Sequence, residues 1–381
     1  MLIHSWPAQA VTELLSALKD LFARPCHKTF ELSDVLGHGL RVVIFGCLLT
    51  LPACGKQSDT IVWIALHPTK PRIMYIATNE SVYKTRDGGG SWERRATDLS
   101  SFRVLTLAVD PEHPATVYAG TMGDAVYRSP DGGQRWMPYN AGLKEHISVV
   151  NQIVFDLRDS ETLYAATTVG VFRTTNGGRL WHERKAGMKE VQYVVTIAQD
   201  PKRPRVFYAG TTGGVYRSTD GTETWEKINN GLIPPEILEA AMALGINTIV
   251  IDPQHTDTVY AGTTKGLFKT TDRGESWTRI GQSLSDQYVS SLVIDPTEPS
   301  IVYAGGRQGV QKSLDGGQTW KEMNVGLETL NIRTTVLSPH DPQTLFAGTN
   351  GSGLYRTTDG AQTWSRMYLV TKPTEAALPD S

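Results

Sequence analysis

The chain has 381 residues, with 37 Lys and Arg against 39 Asp and Glu and a net charge of −2. That balance gives no bulk reason to expect nucleic acid or an anionic membrane surface as a partner. A hydrophobic fraction of 40% supports a sizeable core, and 36 Gly with 20 Pro speak for turns and short strands rather than helices.

The N-terminal region differs from the rest. All three Cys (Cys26, Cys47, Cys54) lie in it, which excludes a disulfide framework or a thiolate metal site in the body of the chain. The stretch from Val11 to Phe22 carries Val11, Leu14, Leu15, Leu18, Leu21 and Phe22 at helical spacing. It reads as a regulatory cytoplasmic helix, or as untranslated if synthesis starts near Val35 or Leu36; the second is preferred. The apolar run from Val42 to Leu51 is too short for a bilayer-spanning helix and suits the core of a signal peptide. The sequence after it, Leu51-Pro52-Ala53-Cys54-Gly55, resembles a bacterial lipobox. That resemblance implies lipidation of Cys54, and Gly55 in place of Asp implies attachment to the outer membrane in a cell with two membranes, or otherwise to the cell surface. The competing reading is a buried apolar strand with an incidental Cys.

Beyond residue 60 one unit repeats seven times. It appears as Thr85-Arg-Asp87-Gly-Gly-Gly-Ser-Trp92 and again with the pairs Asp131/Trp136, Asn176/Trp181, Asp220/Trp225, Asp272/Trp277, Asp315/Trp320 and Asp359/Trp364. The spacings between the Asp or Asn residues are 44, 45, 44, 52, 43 and 44, and seven of the nine Trp fall in the unit. Upstream of each unit lie an apolar run such as Val104–Val109, often an Asp-Pro turn, a Val-Tyr-Ala-Gly-Thr-like run and a Val-Tyr-Arg-Ser-like run. With the segment after the Trp, these make four short strands per period, which is a propeller blade.

Within the unit, the Asp or Asn oxygen can accept N–H groups of its own turn, Gly supplies a positive φ, and the Trp packs between sheets. Thr222 and Ala361 stand where Gly is usual, so their turns are expected to be strained or closed differently. Asn176 also departs from the pattern. The unit resembles the Asp-box, or bacterial neuraminidase repeat, which sortilin-type ectodomains and some glycosidases share. The longer consensus is similar to the photosystem II stability/assembly factor-like family. That resemblance implies a non-catalytic, extracytoplasmic propeller that grips a protein partner during assembly of a membrane complex.

Signs of catalysis are sparse. Phe102-Arg103-Val104 matches only the start of the sialidase motif, and no His pair has metal-ligand spacing. Most Asp residues are consumed by the boxes and Asp-Pro turns. Every blade carries a cation just before the box: Lys84, Arg128, Arg173, Arg217, Lys269, Lys312 and Arg356. It is read as a packing element that pairs with a neighbouring Asp or covers an aromatic ring, in preference to a basic grip on a partner.

Functional residues are expected where the repeat breaks. Loops between blades and central turns within blades share one face. The first set contributes Phe102, Arg103, His146, Tyr193, Tyr288 and Arg333, and the second Met122, Asp124, Lys265, Arg307 and Asn350. Of these, Phe102, Arg103, Tyr193, Tyr288, Arg307 and Arg333 are the candidate partner-binding residues, because aromatics and Arg anchor interfaces. The insertion Ile233–Gly245 accounts for the 52-residue interval and reads as a short helix, either a channel plug or a recognition element.

These features predict an all-β protein, a seven-bladed β-propeller of four-stranded blades over 60–370. Residues 1–53 are assigned as an extension and lipoprotein signal peptide, 54–59 as a linker and 371–381 as a disordered tail. The expected function is a monomeric, lipid-anchored scaffold for a protein partner of an envelope complex, without metal, cofactor or nucleic acid. The alternatives are a carbohydrate-active propeller, whether a glycosidase or a lectin-like module, and a purely structural surface lipoprotein.

Overall fold

A sheet that is apolar on both faces must be covered on both faces, and identical sheets achieve this by stacking around an axis. A computed structural model describes residues 60–371 apart from 96–98, 100–102, 144–146, 148, 189–192 and 233–243. The chain divides into two units, Met1–Gly55 and Lys56–Ser381, and every described residue belongs to the second. The readings at Cys54, Phe102, His146, the 233–244 insertion up to residue 243, and the tail from 372 lie outside the described residues.

Seven antiparallel four-stranded sheets follow one another, each built from contiguous chain with its strands in sequence order. Blade 1 comprises Ile61–Leu66, Met74–Thr78, Val82–Thr85 and Glu93–Arg94. The innermost strands of blades 2 to 7 are Arg103–Val109, Val150–Phe155, Val194–Gln199, Ile246–Ile251, Val289–Ile294 and Ile332–Ser338. Second strands such as Met74–Thr78, Phe207–Thr211 and Val259–Thr263 are buried along their whole length. Among the described residues the helical content is one 3₁₀ turn, Gln282–Leu284, and no helix is long and apolar enough to cross a membrane.

The core lies between blades rather than within them. One apolar cluster joins Tyr75 and Val82 of blade 1 to Leu107, Val117 and Trp136 of blade 2. Another joins Phe346 and Leu354 of blade 7 to Ile64, Ile76 and Trp92 of blade 1. The indole N–H of Trp181, Trp225, Trp277 and Trp364 donates to a carbonyl of the preceding blade, on Tyr139, Arg184, Ile228 and Met323, at 2.8–2.9 Å. Trp320 departs from this pattern and donates to Gly317 of its own turn.

Each Trp-ending turn is tied by the same three bonds. In blade 1, the Thr85 hydroxyl donates to the Asp87 carboxylate at 2.7 Å and accepts the Gly89 N–H at 2.9 Å, while Ser91 N–H donates to Asp87 at 2.9 Å. Asn176 makes the same set through its amide oxygen, with Thr174 and Leu180 as donors. Thr222 and Ala361 also donate their N–H to the Ser218 and Thr357 hydroxyls, but at φ of 73° and 71°. Those turns therefore close in the same way and carry left-handed strain. Arg273 stands at φ 63° in the blade 5 turn, a departure that the sequence comparison passed over.

The cation before each turn packs. Lys84, Lys269 and Lys312 lie over the Tyr75, Tyr260 and Tyr303 rings, and Arg128 lies over Tyr118 and Tyr139. Most of these cations also reach the next blade, where they meet a main-chain carbonyl rather than an Asp. Lys84 donates to Gly132, Arg173 to Gly221, Arg217 to Arg273, Lys269 to Gly316 and Lys312 to Gly360. In blade 2 the Tyr118 hydroxyl reaches the equivalent carbonyl, on Gly177, at 2.8 Å, and Arg128 backs that hydroxyl. Thus the residue just after the box Asp or Asn is gripped from the preceding blade six times around the ring.

The seventh junction, from blade 7 back to blade 1, is built differently. Phe346 replaces the Tyr, Arg356 is exposed, and the buried Trp92 indole nitrogen has no partner. The Trp92 main-chain N–H still donates across the junction, to Val370 at 3.0 Å, as Trp181, Trp225, Trp277 and Trp364 do at theirs, and Thr60 donates to Asn350 at 3.2 Å.

Two outcomes follow from this construction. Phe346→Tyr supplies the missing hydroxyl opposite Gly88 and should stabilise the protein by about 1 kcal/mol in urea unfolding; an unchanged or lower midpoint contradicts the account of the seam. The hydroxyls of Ser276, Thr319 and Thr363 lead the bonds that hold Asp272, Asp315 and Asp359 at about 2. Because these folded-state values lie below that of an unfolded Asp, their stabilisation is complete above about pH 4 and is lost as the pH falls towards 2. Melting temperatures should drop across that window, and the triple Asp→Asn variant should show a shallower drop.

Candidate functional site

All seven blades share a β-bulge that builds the channel. In blade 1 the ladder runs Ile61↔Thr78 and then Trp63↔Ala77, so Val62 is the extra residue. The same skip occurs at Leu105, Asn151, Val195, Asn247, Ser290 and Arg333. A bulge re-aims the residue it leaves unpaired, and all seven of these residues line the axial cavity, which has a volume of about 570 Å³. Three of them stitch the ring. Asn151 donates to Val194, Asn247 to Val289 and Ser290 to Ile332, each carbonyl in the next blade, at 2.7–2.9 Å.

Arg333 is the charged member of this bulge ring. The sequence comparison assigned it to an inter-blade loop, but it lies inside the innermost strand Ile332–Ser338, where the bulge brings it to the cavity wall. Tyr288 and Arg307, from blade 6, line the same cavity. The Arg307 guanidinium lies 4.8 Å from the centre of the Tyr288 ring. Gly306 permits this approach, since a Cβ there would sit 2.2 Å from the Tyr288 carbonyl oxygen. Six blades carry Thr at this position and tie its hydroxyl to the turn, as Thr211 does with Gly214. The Ala304-Gly-Gly306 departure was a legible signal for this site that sequence reasoning missed.

Arg103 completes the group electrostatically. Burial comes first and the charge of Arg103 second in pulling Arg333 below the usual arginine pKa, opposed by Tyr288. The Nε of Arg103 is itself buried without a hydrogen-bond partner. Tyr193 opens the innermost region of blade 4, is 48% exposed and is not among the residues that line the cavity. Asn350 lines the cavity, whereas Asp124 is engaged within its own blade by Tyr127 and Asn140. Met122 is exposed, and Lys265 ties its N–H to Thr263.

The lining contains no Asp, Glu or His among the described residues. Nor does any group of three or more His, Cys, Asp or Glu among them have the arrangement to hold a metal ion. A second hollow of about 340 Å³ does contain Asp156 and Asp159. There Asp156 already accepts from Arg158, Tyr164 and Gln199, and Asp159 accepts from Glu161 and Thr162. Trp63, one of the two Trp outside the repeat unit, also lines the axial cavity.

No family model and no curated protein sequence matches the chain. Solved structures match it as folds. An ancestral GH74 enzyme aligns with TM-score 0.65 at 18% identity over 81% of this chain and 46% of its own. A structure of YCF48 bound to D1 peptide aligns with TM-score 0.60 at 18% identity, over 79% of this chain and 94% of its own. The extracellular domain of a putative one component system from B. thetaiotaomicron gives 0.63 at 14% identity, over 80% of this chain and 39% of its own. This chain spans about half the length of the first two GH74 enzymes it matches. At these identities the likeness defines the class by fold alone: a seven-bladed β-propeller of four-stranded blades.

Arg333 is half-buried, faces like charge and has no acidic partner among the described residues, so it should detract from stability. Arg333→Met is expected to raise the urea midpoint, by about 1 kcal/mol. A clear loss of stability would show instead that the guanidinium has a structural role.

Proposed function

We propose that the protein is a non-catalytic binding propeller that grips a protein partner at this channel mouth. The observation that carries the reading is the meeting of Tyr288, Arg307 and Arg333 at positions where the blades otherwise repeat. Aromatic and Arg side chains are the usual anchors of a protein interface, and they gather here beside an open concavity. The absence of carboxylates from the described lining argues against a glycosidase, which needs an acid and a second carboxylate within about 5–9.5 Å.

In this proposal the propeller works outside the cytoplasm, anchored through lipid on Cys54, and serves as a photosystem II assembly factor-like scaffold for an envelope complex. The structural likeness to YCF48, solved bound to a D1 peptide, supports peptide or protein binding as the mode. The likeness to the extracellular domain of a putative one component system supports the compartment. Phe102, Arg103 and Tyr193 extend the proposed contact around the rim, and residues 233–244 act as a plug or as a recognition element.

Affinity capture of the full chain from detergent-solubilised envelopes, quantified by mass spectrometry, tests the reading. Tyr288→Ala/Arg307→Ala should lower recovery of the specific partner at least tenfold, as truncation of interface anchors does. Recovery of the same proteins at the same level by wild type and variant would refute the site. Release of oligosaccharides from xyloglucan by the purified protein would refute the non-catalytic assignment.

A further inference from the structure

Two guanidinium groups, those of Arg307 and Arg333, line this end of the channel with no acidic side chain among the described lining residues, and the charge of Arg103 acts on Arg333. Several arginines elsewhere in the ring are neutralised. Arg203 pairs with Asp200 and Asp257, Arg217 with Glu226 and Glu275, and Arg173 with Glu223. No ion pair among the described residues includes Arg103, Arg307 or Arg333. Arg333 bears the penalty of burial and of a like charge, and Arg103 holds a buried N–H with nothing to accept it. Stacking on Tyr288 restrains the Arg307 guanidinium in place. Like charges held together at a cavity wall detract from folding, and an anion bound among them reverses that balance.

We infer that the channel mouth is a receptor for a carboxylate, taken by Arg333 and Arg307 of its wall. Carboxylate is favoured over phosphate by what surrounds the cluster. A planar monoanion matches the guanidinium fork. The rest of the wall mixes the apolar Val62, Trp63, Leu105 and Val195 with the amides and hydroxyls of Asn151, Gln152, Asn247 and Thr248, and adds no further cation among the described lining residues, which suits a monoanion better than a dianion. The ligand class is therefore a carboxylate on an uncharged body, carried by a free organic acid or by a polypeptide. This inference rests on the channel mouth being a binding site, and it adds the chemistry of what enters.

The test is calorimetric titration of the full chain with five probes: hexanoate, hexanamide, inorganic phosphate, and an apolar hexapeptide with either a free C-terminal carboxylate or a carboxamide. At least one acid should bind, its amide should bind at least tenfold more weakly, and Arg333→Met should weaken the acid at least tenfold. Arg333→Lys should recover only part of the loss, because Lys keeps the charge and lacks the fork. Leu157→Ala, on an exposed residue away from the cavity, should leave binding unchanged. Tighter binding of the hexapeptide acid than of hexanoate assigns the polypeptide source, and the reverse order assigns the free acid. Equal binding of acid and amide, binding indifferent to Arg333, tighter binding of inorganic phosphate, or silence from both acids would overturn the inference. Unfolding midpoints of each variant separate a folding defect from a binding defect. Silent acids together with intact partner capture sink the carboxylate receptor and leave the binding propeller standing; if capture is also lost, both fail.

Discussion

The ring depends on a contact that always runs in one direction: a side chain of one blade holds the turn of the next. The held group is the carbonyl just after the box Asp or Asn, and Lys, Arg or Tyr reaches it at six junctions. The turn can be held only because it is rigid, and it is rigid because its Asp or Asn and its Ser/Thr hydroxyl have satisfied the local N–H groups. The Trp that ends the turn then passes its indole N–H back to the blade behind. Each blade is thereby both held and holding, and the apolar clusters form between blades once that order is set.

This dependence explains what could be read from the chain and what could not. The turn bonds lie within a few residues, so the residue types that make them recur at fixed spacing, and blade number and strand order followed. The bulge has no such signature. Its residues are Val62, Leu105, Asn151, Val195, Asn247, Ser290 and Arg333, which share only a place where the ladder skips. Arg333 was therefore expected in a loop and found in the channel wall. Gly306 illustrates the opposite case: its departure from Thr was visible, but the proximity of the Tyr288 carbonyl that gives it meaning is a contact between strands. The strain at Thr222 and Ala361 was legible in advance because Gly has a specific task in that turn; the same argument, applied evenly, would have found Arg273.

A propeller of this kind places few demands on chemistry. GH74 enzymes, a peptide-bound YCF48 and the extracellular domain of a putative one component system all align to this chain at 14–18% identity. What separates such proteins is the handful of side chains aimed at the axis and the faces around it. Here those side chains are amides, hydroxyls, aliphatics, a Trp, a Tyr and unpaired guanidinium groups. Charge distribution gives the sharper contrast. Arg203 and Arg217 on the outer part of the ring are balanced by Asp and Glu, whereas no acidic residue is among the described residues that line the axis.

The shared bulge also bears on how such an interior can change over evolutionary time. A bulged residue belongs to the strand but stands outside the ladder, and outside the cation and Trp contacts that close the ring. Exchanging Val195 for a polar residue would alter the axis while leaving the grips between blades intact. Asn151, Asn247 and Ser290 also stitch one blade to the next, so at those positions the axis and the architecture change together. Divergence at the freer bulge positions would be scattered through the sequence, invisible as a motif and adjacent in space.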